Sequence, residues 1–463
     1  MDKKLDFKSL TALVISSMLG AGVFSLPQNM AAVASPAALI IGWIITGIGI
    51  TFLAVSMLLL HKLKPDLDGG IFSYAKDGFG ELIGFCSAWG YWLCAVIANV
   101  SYLVIVFSAI SFFTDHSNHI IFGSGNTWIS LLAASILLWA IHFLLLNGTQ
   151  TAAIINIIAT FGKLLPLIIF IILSILAFNF KKFNIDFTGI KSGIPIWEQV
   201  KHTMLITLWV FIGVEGAVIL SSKAKNKKDI SKATLLAVFI ALCVYLLVTL
   251  LSLGIIDRID LANMRNPSMA GLMTILIGNW GNIVIALGLI ISVCGAYLSW
   301  AIMAAEVPFI ASKHGIFPKC FSKQNFNKAP SFSLWFTSSS MQLCLILICL
   351  TKLNYNNLLI LSSEMILIPY FLVGAYLLKI SFYNKNILHI FIGMGSCIYG
   401  IWLLYASGLL HLLLSLILYA PGLIFLIIFK RYNPKFLFLN NKEKFILFFL
   451  LLGSIFSLFY LIK

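Results

Sequence analysis

The sequence predicts an all-α polytopic membrane protein with 12 or 13 transmembrane helices, the first ten of which form a five-plus-five inverted repeat. Hydrophobic residues make up 60% of the 463 positions and charged residues only 10%, which excludes a soluble globular domain. The apolar residues fall into runs of about 20, the length that a helix needs to cross a bilayer. Glycines interrupt two of these runs, which predicts that helices 1 and 6 are broken.

Thirteen apolar runs are candidate spans. They lie near residues 9–32, 38–61, 82–113, 127–147, 150–178, 199–221, 232–255, 279–312, 331–351, 356–380, 387–405, 408–430 and 445–462. The first run has no small-residue cleavage pattern, so we interpret it as a retained span and not as a signal peptide. We expect residues 1–198 to form the first five-helix repeat, 199–380 the second repeat and 381–463 a set of accessory helices.

Lysine and arginine are concentrated in alternate loops between the spans. Of the 31 basic residues, 22 lie on the side of the N-terminus, eight lie on the other side and Lys163 lies within a span. The positive-inside rule therefore predicts a cytoplasmic N-terminus. Five spans separate the two breaks, so the second unit enters the membrane from the opposite side, as in an inverted repeat. The net charge of +15 reflects this topology and does not indicate a nucleic-acid partner.

The first interruption covers residues 16–24, with the sequence SSMLGAGVF. Backbone groups freed there must bond to something else, because lipid offers no hydrogen-bond partner. The positive end of the following half-helix suits an anion, and the unpaired carbonyls suit a cation. Close helix packing is the alternative, since small residues also let helices approach. The second interruption, residues 209–216 (WVFIGVEG), favours a ligand site because it places Glu215 beside the break.

Charged side chains inside spans are costly and are therefore candidates for function. Glu215 could attract a cationic substrate or pass a proton, or it could tie down a neighbouring helix as a buried acid. Glu364, in span 10, either faces the pathway or pairs with a basic group. Lys163 is the one basic residue deep in a span. A buried lysine readily loses its proton, so Lys163 could stand where a coupling cation would sit, or it could pair with a carboxylate or with carbonyls.

Two tryptophans are candidates for contact with a cationic ligand. Trp209 lies at the second break and Trp300 lies midway along span 8. An indole face attracts a guanidinium or ammonium group by about 0.5–2 kcal/mol. Tyr74 and Tyr91, near the start of span 3, are candidate gates. For any single aromatic residue, packing or contact with lipid is the alternative.

The sequence lacks the residues that several classes of function require. The eight cysteines form no C-x-x-C pair, and His142, His389 and His411 have no acid or cysteine partner at ligand spacing, so we expect no metal site. No phosphate-binding glycine loop is present, which argues against an ATP-driven transporter. The loops are too short for a soluble domain. We therefore expect neither an enzyme nor a bound cofactor.

Several motifs occur in an order that is similar to that of a known superfamily. They are residues 19–27 (LGAGVFSLP), 69–75 (GGIFSYA), 91–92 (YW) with Asn99, 208–215 (LWVFIGVE), 223–226 (KAKN), Trp300 and 314–318 (HGIFP). Over residues 5–435 the chain resembles the amino acid/polyamine/organocation superfamily. Within it, the chain resembles the basic amino acid antiporters, namely arginine/ornithine and arginine/agmatine exchangers and related lysine permeases.

The resemblance implies a LeuT-like five-plus-five fold with a substrate site at the membrane midplane. It places the substrate α-carboxylate on the backbone N–H groups of Ala21 and Gly22. It places the α-amino group on carbonyls near Trp209 and Ile212. The cationic side chain of the substrate would lie against Trp209 and Trp300.

The resemblance also implies further substrate-binding and gating residues. Asn99 and Ser362 would line the far end of the site. The implied gating residues are Tyr91, Glu215, Trp300 and Tyr370. Proton coupling would fall to Glu215 or Lys163, because Lys163 resembles a span 5 lysine of proton-coupled relatives and of the arginine/ornithine and lysine branch.

Two positions depart from the pattern of some arginine/agmatine exchangers. Ala21 stands where those proteins have a serine, and Ser17 stands where they have an asparagine. The substrate carboxylate would then have fewer side-chain donors. The backbone amides of the break would have to contribute more.

We therefore expect a plasma-membrane transporter in the prokaryotic inner membrane, with a small cationic amino acid and the lipid bilayer as its partners. It would exchange arginine or lysine for a related amino acid or amine, such as ornithine or agmatine, by alternating access. One alternative is a proton-coupled importer of neutral amino acids or polyamines. Another is a membrane sensor that binds its ligand without moving it. Relatives are often dimers, so the resemblance also implies a homodimer.

Overall fold

The computed structural model describes residues 7–67, 69–116, 119–147, 150–190, 193–216, 225–432 and 439–462. The first half of the chain forms α1 Phe7–Met18, α2 Gly22–Val33, α3 Pro36–Leu63, α4 Ile71–Phe79, α5 Glu81–Thr114, α6 Trp128–Leu146, α7 Gln150–Ala177, α8 Phe180–Asn184 and α9 Ile196–Phe211. The second half forms α10 Lys227–Ile255, α11 Arg258–Ala262, α12 Ser268–Ile277, α13 Asn279–Lys313, α14 Ser331–Thr351, α15 Tyr355–Tyr383, α16 Ile387–Tyr432 and α17 Asn441–Ile462.

The helices confirm the prediction of an all-α polytopic membrane protein. In the described ranges, nine helices are long and apolar enough to cross a membrane, and the bent pair of α1 and α2 adds a tenth. Helices α7 and α9 occupy predicted spans 5 and 6. The described apolar part of α7 is Leu164–Ala177 and α9 has 16 residues, so both are shorter than the 18 residues required of a candidate span. Residues 217–221, the end of predicted span 6, lie outside the described residues.

The C-terminal helices agree with the prediction except at one boundary. Predicted spans 387–405 and 408–430 are joined in α16, which bends at Gly408, where φ is 78°. Helix α17 coincides with the predicted thirteenth span at 445–462. The division into two inverted repeats and an accessory unit stays a prediction.

Helix α5 forms the centre of the molecule. Its most apolar window is 89% buried, whereas the corresponding window of α17 is 11% buried and faces outward. Helices α13 and α15 pack against α5 and are the next most buried of the long helices. Because α5 is enclosed by other helices, its polar side chains face protein and not lipid. This is where a site can be built in a membrane protein.

Both predicted breaks are present. Helix α1 ends at Met18 and α2 begins at Gly22, with a bend of 43° between them. Helix α9 ends at Phe211, and residues 212–215 continue as turns. In the second break, Gly213 has a φ of 109°, which side chains rarely tolerate, and a Cβ there would lie 2.8 Å from the carbonyl oxygen of Ser17. The second break therefore requires glycine both for its backbone shape and for its approach to α1.

Candidate functional site

The two breaks lie against each other in the interior. The Ser17 hydroxyl lies 3.0 Å from the carbonyl oxygen of Gly213 and 2.8 Å from that of Val14, so its single proton is shared between a helical acceptor and an acceptor in the other break. Tyr245, from α10, reaches both broken helices. Its hydroxyl lies 2.9 Å from the carbonyl oxygen of Met18 and 2.6 Å from that of Val210. Carbonyls freed by the two breaks thus share one donor, which links the breaks.

The first break leaves backbone donors without acceptors. The Gly20 N–H donates to the Met18 carbonyl at 2.8 Å, and the Phe24 N–H donates to the Ala21 carbonyl at 3.2 Å. The N–H groups of residues 21, 22 and 23 donate to no acceptor among the described residues. They form the start of α2, where the helix dipole is positive. The break therefore offers an anion three free donors, two of which are the predicted Ala21 and Gly22 amides.

A very small cavity of about 10 Å³ lies between the breaks. It is lined by Met18, Gly20, Gly22, Ala98, Tyr102, Trp209, Val210, Ile212 and Trp300. A Cβ on Gly22 would lie 2.9 Å from Nε1 of Trp209, so a larger residue there would displace the indole. This volume is far below that of a typical ligand pocket, roughly 300–1,000 Å³, so the helices are closed around the breaks and must separate before a substrate can bind. The described helices thus enclose a compact space at the breaks.

Four of the seven predicted substrate-binding residues line this cavity. They are Gly22, Trp209, Ile212 and Trp300. Trp300 is 2% exposed, and its indole N–H has no partner among the described residues. An unsatisfied buried donor costs about 1–3 kcal/mol, so a ligand that accepts this hydrogen bond would gain from it.

The other three predicted binding residues do not line the cavity. Ala21 is completely buried within the first break. Asn99 donates to the Ala95 carbonyl at 2.8 Å, and its side-chain oxygen has no partner in the described part of the chain. Ser362 donates to the Cys94 carbonyl at 2.9 Å. The binding roles of these three residues stay predictions.

Three of the four predicted gating residues meet at the Glu215 carboxyl group. Glu215 is 2% exposed; its Oε1 accepts from the Tyr91 hydroxyl at 2.8 Å and its Oε2 from the Tyr370 hydroxyl at 2.7 Å. The Gly213 N–H also donates to Oε2, at 3.1 Å. Each such hydrogen bond contributes about 0.5–3 kcal/mol, and the upper part of this range applies to a charged acceptor. Glu215 thereby ties the second break to α5 and α15, while Trp300 lies apart from it on the cavity wall.

The remaining intramembrane charges have different environments. The Glu364 carboxylate is buried and contacts Nδ1 of His411, on α16. Of the two roles predicted for Glu364, the structure supports pairing with a basic group. The side chain of Lys163 lies outside the described residues, and so does part of the motif at 223–226. The roles of both stay predictions.

Sequence reasoning missed three tyrosines at the breaks. Besides Tyr245, Tyr355 accepts a hydrogen bond from Nε1 of Trp209 at 3.3 Å, and the Tyr102 ring packs against Trp209 with a centroid distance of 6.2 Å. No local pattern marks them, because tyrosine is common in membrane proteins. For Tyr102 and Tyr245, their depth within spans, away from the interface that tyrosine prefers, is a signal. Tyr355 has no such signal, because it is the first residue of α15.

Comparison with known proteins agrees with this architecture. The amino acid permease family matches residues 5–461. The chain is 64% identical over 455 residues, 98% of both chains, to the putative arginine/ornithine antiporter of Escherichia coli (strain K12). Over 439 residues it is 42% identical to the arginine/ornithine antiporter of Pseudomonas aeruginosa, covering 91% of this chain and 90% of that protein.

A third relative is the arginine/agmatine antiporter of Chlamydia pneumoniae. The identity is 42% over 439 residues, covering 92% of this chain and 90% of that protein. These matches confirm the resemblance that the motifs indicate. With a family match over nearly its whole length and relatives at this identity, the chain belongs to the amino acid permease family.

Proposed function

We propose that the chain is a secondary transporter that exchanges a cationic amino acid, arginine or lysine, for a related amino acid or amine such as ornithine or agmatine. The observation that supports this most is the cavity between the two breaks, which joins free N–H donors at one side to two indoles. An amino acid with a cationic side chain needs both features. The names of the relatives point to the same substrates.

In this proposal, the two ends of the substrate are recognised by different parts of the cavity. The α-carboxylate binds to the amides of Ala21 and Gly22, and the α-amino group binds to carbonyls near Trp209 and Ile212. The cationic side chain lies against Trp209 and Trp300, where cation-π attraction contributes about 0.5–2 kcal/mol. Asn99 and Ser362 do not line the closed cavity, and in this proposal they line its far end when the cavity widens.

Alternating access would use the hydrogen bonds around Glu215. Tyr91, on α5, and Tyr370, on α15, both donate to this carboxylate, so the second break cannot move away from either helix without losing a bond. A substrate that binds the outward and inward states differently shifts their populations. The gating roles of Tyr91, Glu215, Tyr370 and Trp300 are part of this proposal.

Transport into liposomes tests the function. Purified protein would be reconstituted into vesicles preloaded with arginine, lysine, ornithine, agmatine or buffer, and uptake of labelled arginine and lysine would be measured with and without a pH gradient. Exchange predicts uptake into preloaded vesicles alone. Binding without uptake into any vesicle would instead identify a sensor.

A proton-coupled importer is the second candidate, favoured by the buried acid Glu215 beside the break. It predicts uptake into empty vesicles driven by an acidic exterior. In that case Lys163→Ala is expected to change the pH profile of transport. An unchanged profile would exclude Lys163 from proton coupling.

The distribution of basic residues supports a cytoplasmic N-terminus in a prokaryotic inner membrane. Labelling of a single cysteine introduced near the N-terminus, in intact and in permeabilised cells, tests this orientation. The resemblance supports a homodimer, and light scattering of the detergent-solubilised protein would measure the number of chains.

A further inference from the structure

Three tyrosines contact residues that line the cavity, and their hydroxyls differ in whether they have a hydrogen-bond partner. The Tyr245 hydroxyl contacts the carbonyls of Met18 and Val210, and the Tyr355 hydroxyl accepts from Trp209. The Tyr102 hydroxyl has no hydrogen-bond partner among the described residues. Tyr102 is nevertheless 5% exposed and lines the cavity. Because Tyr102 lines the cavity, its hydroxyl is available to donate a hydrogen bond to a ligand there.

We propose that the Tyr102 hydroxyl donates a hydrogen bond to the α-carboxylate of the substrate and completes a cradle with the free amides of the first break. The inference rests on the proposed function, since it requires an amino acid in the cavity. It adds to that function a side chain of α5 that selects for amino acids over the corresponding amines.

The position of the hydroxyl supports this role. A Cβ on Gly20 would lie 2.9 Å from the Tyr102 hydroxyl oxygen, so the hydroxyl lies directly against the backbone of the first break. The free N–H groups begin one residue later, at Ala21. A carboxylate has two oxygens and about four lone-pair sites, so it can accept from the amides and from the hydroxyl together.

Charge favours the carboxylate over the cationic groups of the substrate. The hydroxyl lies beside the N-terminal end of α2, where the helix dipole repels a cation and stabilises an anion. The residues between α1 and α2, Leu19, Gly20 and Ala21, carry no hydroxyl, so no side chain between the two half-helices supplies the donor. Tyr102 is uncharged and therefore supplies a donor without repelling the cationic side chain of the substrate.

Binding of arginine and of agmatine to Tyr102→Phe tests the inference. Agmatine retains an amine and the guanidinium but lacks the carboxylate. We expect Tyr102→Phe to weaken arginine binding by about tenfold to a hundredfold, the loss typical of a hydrogen bond to a charged group, and to leave agmatine binding within about twofold. Isothermal titration calorimetry of the purified full-length protein in detergent measures both affinities.

Tyr399→Phe is the matched control, because Tyr399 is a buried tyrosine on α16 that does not line the cavity. It is expected to bind both ligands as the wild type does. Tyr102→Met is a second variant without the hydroxyl, for use if the phenylalanine variant is unstable, since a flexible methionine fills irregular spaces. The thermal melting temperature verifies the folding of each variant.

Equal binding of arginine by the wild type and by Tyr102→Phe would overturn the role of Tyr102 and leave the proposed function intact. Equal weakening of arginine and agmatine would show that the hydroxyl contacts another part of the ligand, which also overturns the carboxylate assignment. A wild-type protein that binds neither arginine nor lysine would instead refute the proposed function.

Discussion

Trp300 lies on the cavity wall with its indole N–H unpartnered among the described residues. Trp300→Ala is expected to weaken arginine binding by about two- to thirtyfold, because it removes a cation-π contact of about 0.5–2 kcal/mol. Calorimetry in detergent provides the measurement. Trp280→Ala is the matched control, since Trp280 lies on the same helix but is 75% exposed. Unchanged affinity in Trp300→Ala would remove this tryptophan from the site.

Asp115 lies at the end of α5, outside the span, and its surroundings lead to a second prediction. Burial alone would raise the pKa of Asp115, but the backbone N–H groups of Phe122, Gly123 and Ile121 outweigh it and lower the pKa below its usual range. A lowered pKa means that the ionised carboxylate stabilises the fold above the unfolded pKa of about 3.9. This contribution is lost as the pH falls through the folded pKa.

We therefore expect Asp115→Asn to lower the melting temperature at pH 7 by about 2–4 °C, the shift typical of roughly 1 kcal/mol. The difference from the wild type should shrink as the pH falls below about 4. Melting curves in detergent at several pH values measure both effects. A difference that stays constant down to pH 3 would mean that the charge of Asp115 does not stabilise the loop.

At the scale of elements, the central feature is the connection between the two broken helices. Tyr245 lies 35 residues from one of its acceptors and 227 from the other, so α10 connects α1 to α9. Tyr245→Phe removes a hydrogen bond worth about 1 kcal/mol. We expect a melting temperature about 2–4 °C lower. The control Tyr399→Phe, on α16, should leave the contact between the breaks intact, and equal loss in both variants would argue against a special role for Tyr245.

At the scale of the whole molecule, Glu215 joins the second break to α5 and α15. Glu215→Gln keeps the size of the side chain and removes its charge. Weaker hydrogen bonds shift the balance between the closed and open states, so we expect the exchange rate in liposomes to fall about tenfold or more. Affinity should change by less than about threefold, because Glu215 does not line the cavity. A rate equal to that of the wild type would exclude Glu215 as a gate.

Several features of this molecule follow from local sequence. Hydropathy places the helices because each span must be apolar along its own length. Glycines mark both breaks, since Gly22 and Gly213 lie where a Cβ would collide with the other half of the site. The rarity of acids within spans singles out Glu215. These signals are local, so they can be recognised without knowing which helices are neighbours.

The tertiary structure decided which distant side chains meet these local features. Three contacts join residues that are distant in sequence. Glu364 contacts His411, Tyr102 lies against Gly20, and Tyr245 contacts both breaks. Each helix in a membrane protein satisfies its own backbone hydrogen bonds, so the sequence of a span leaves its rotation and its neighbours open. Packing of the helices against α5 fixes the rotation and the neighbours of each span. It thereby places at the cavity the Tyr102 hydroxyl, which has no partner among the described residues.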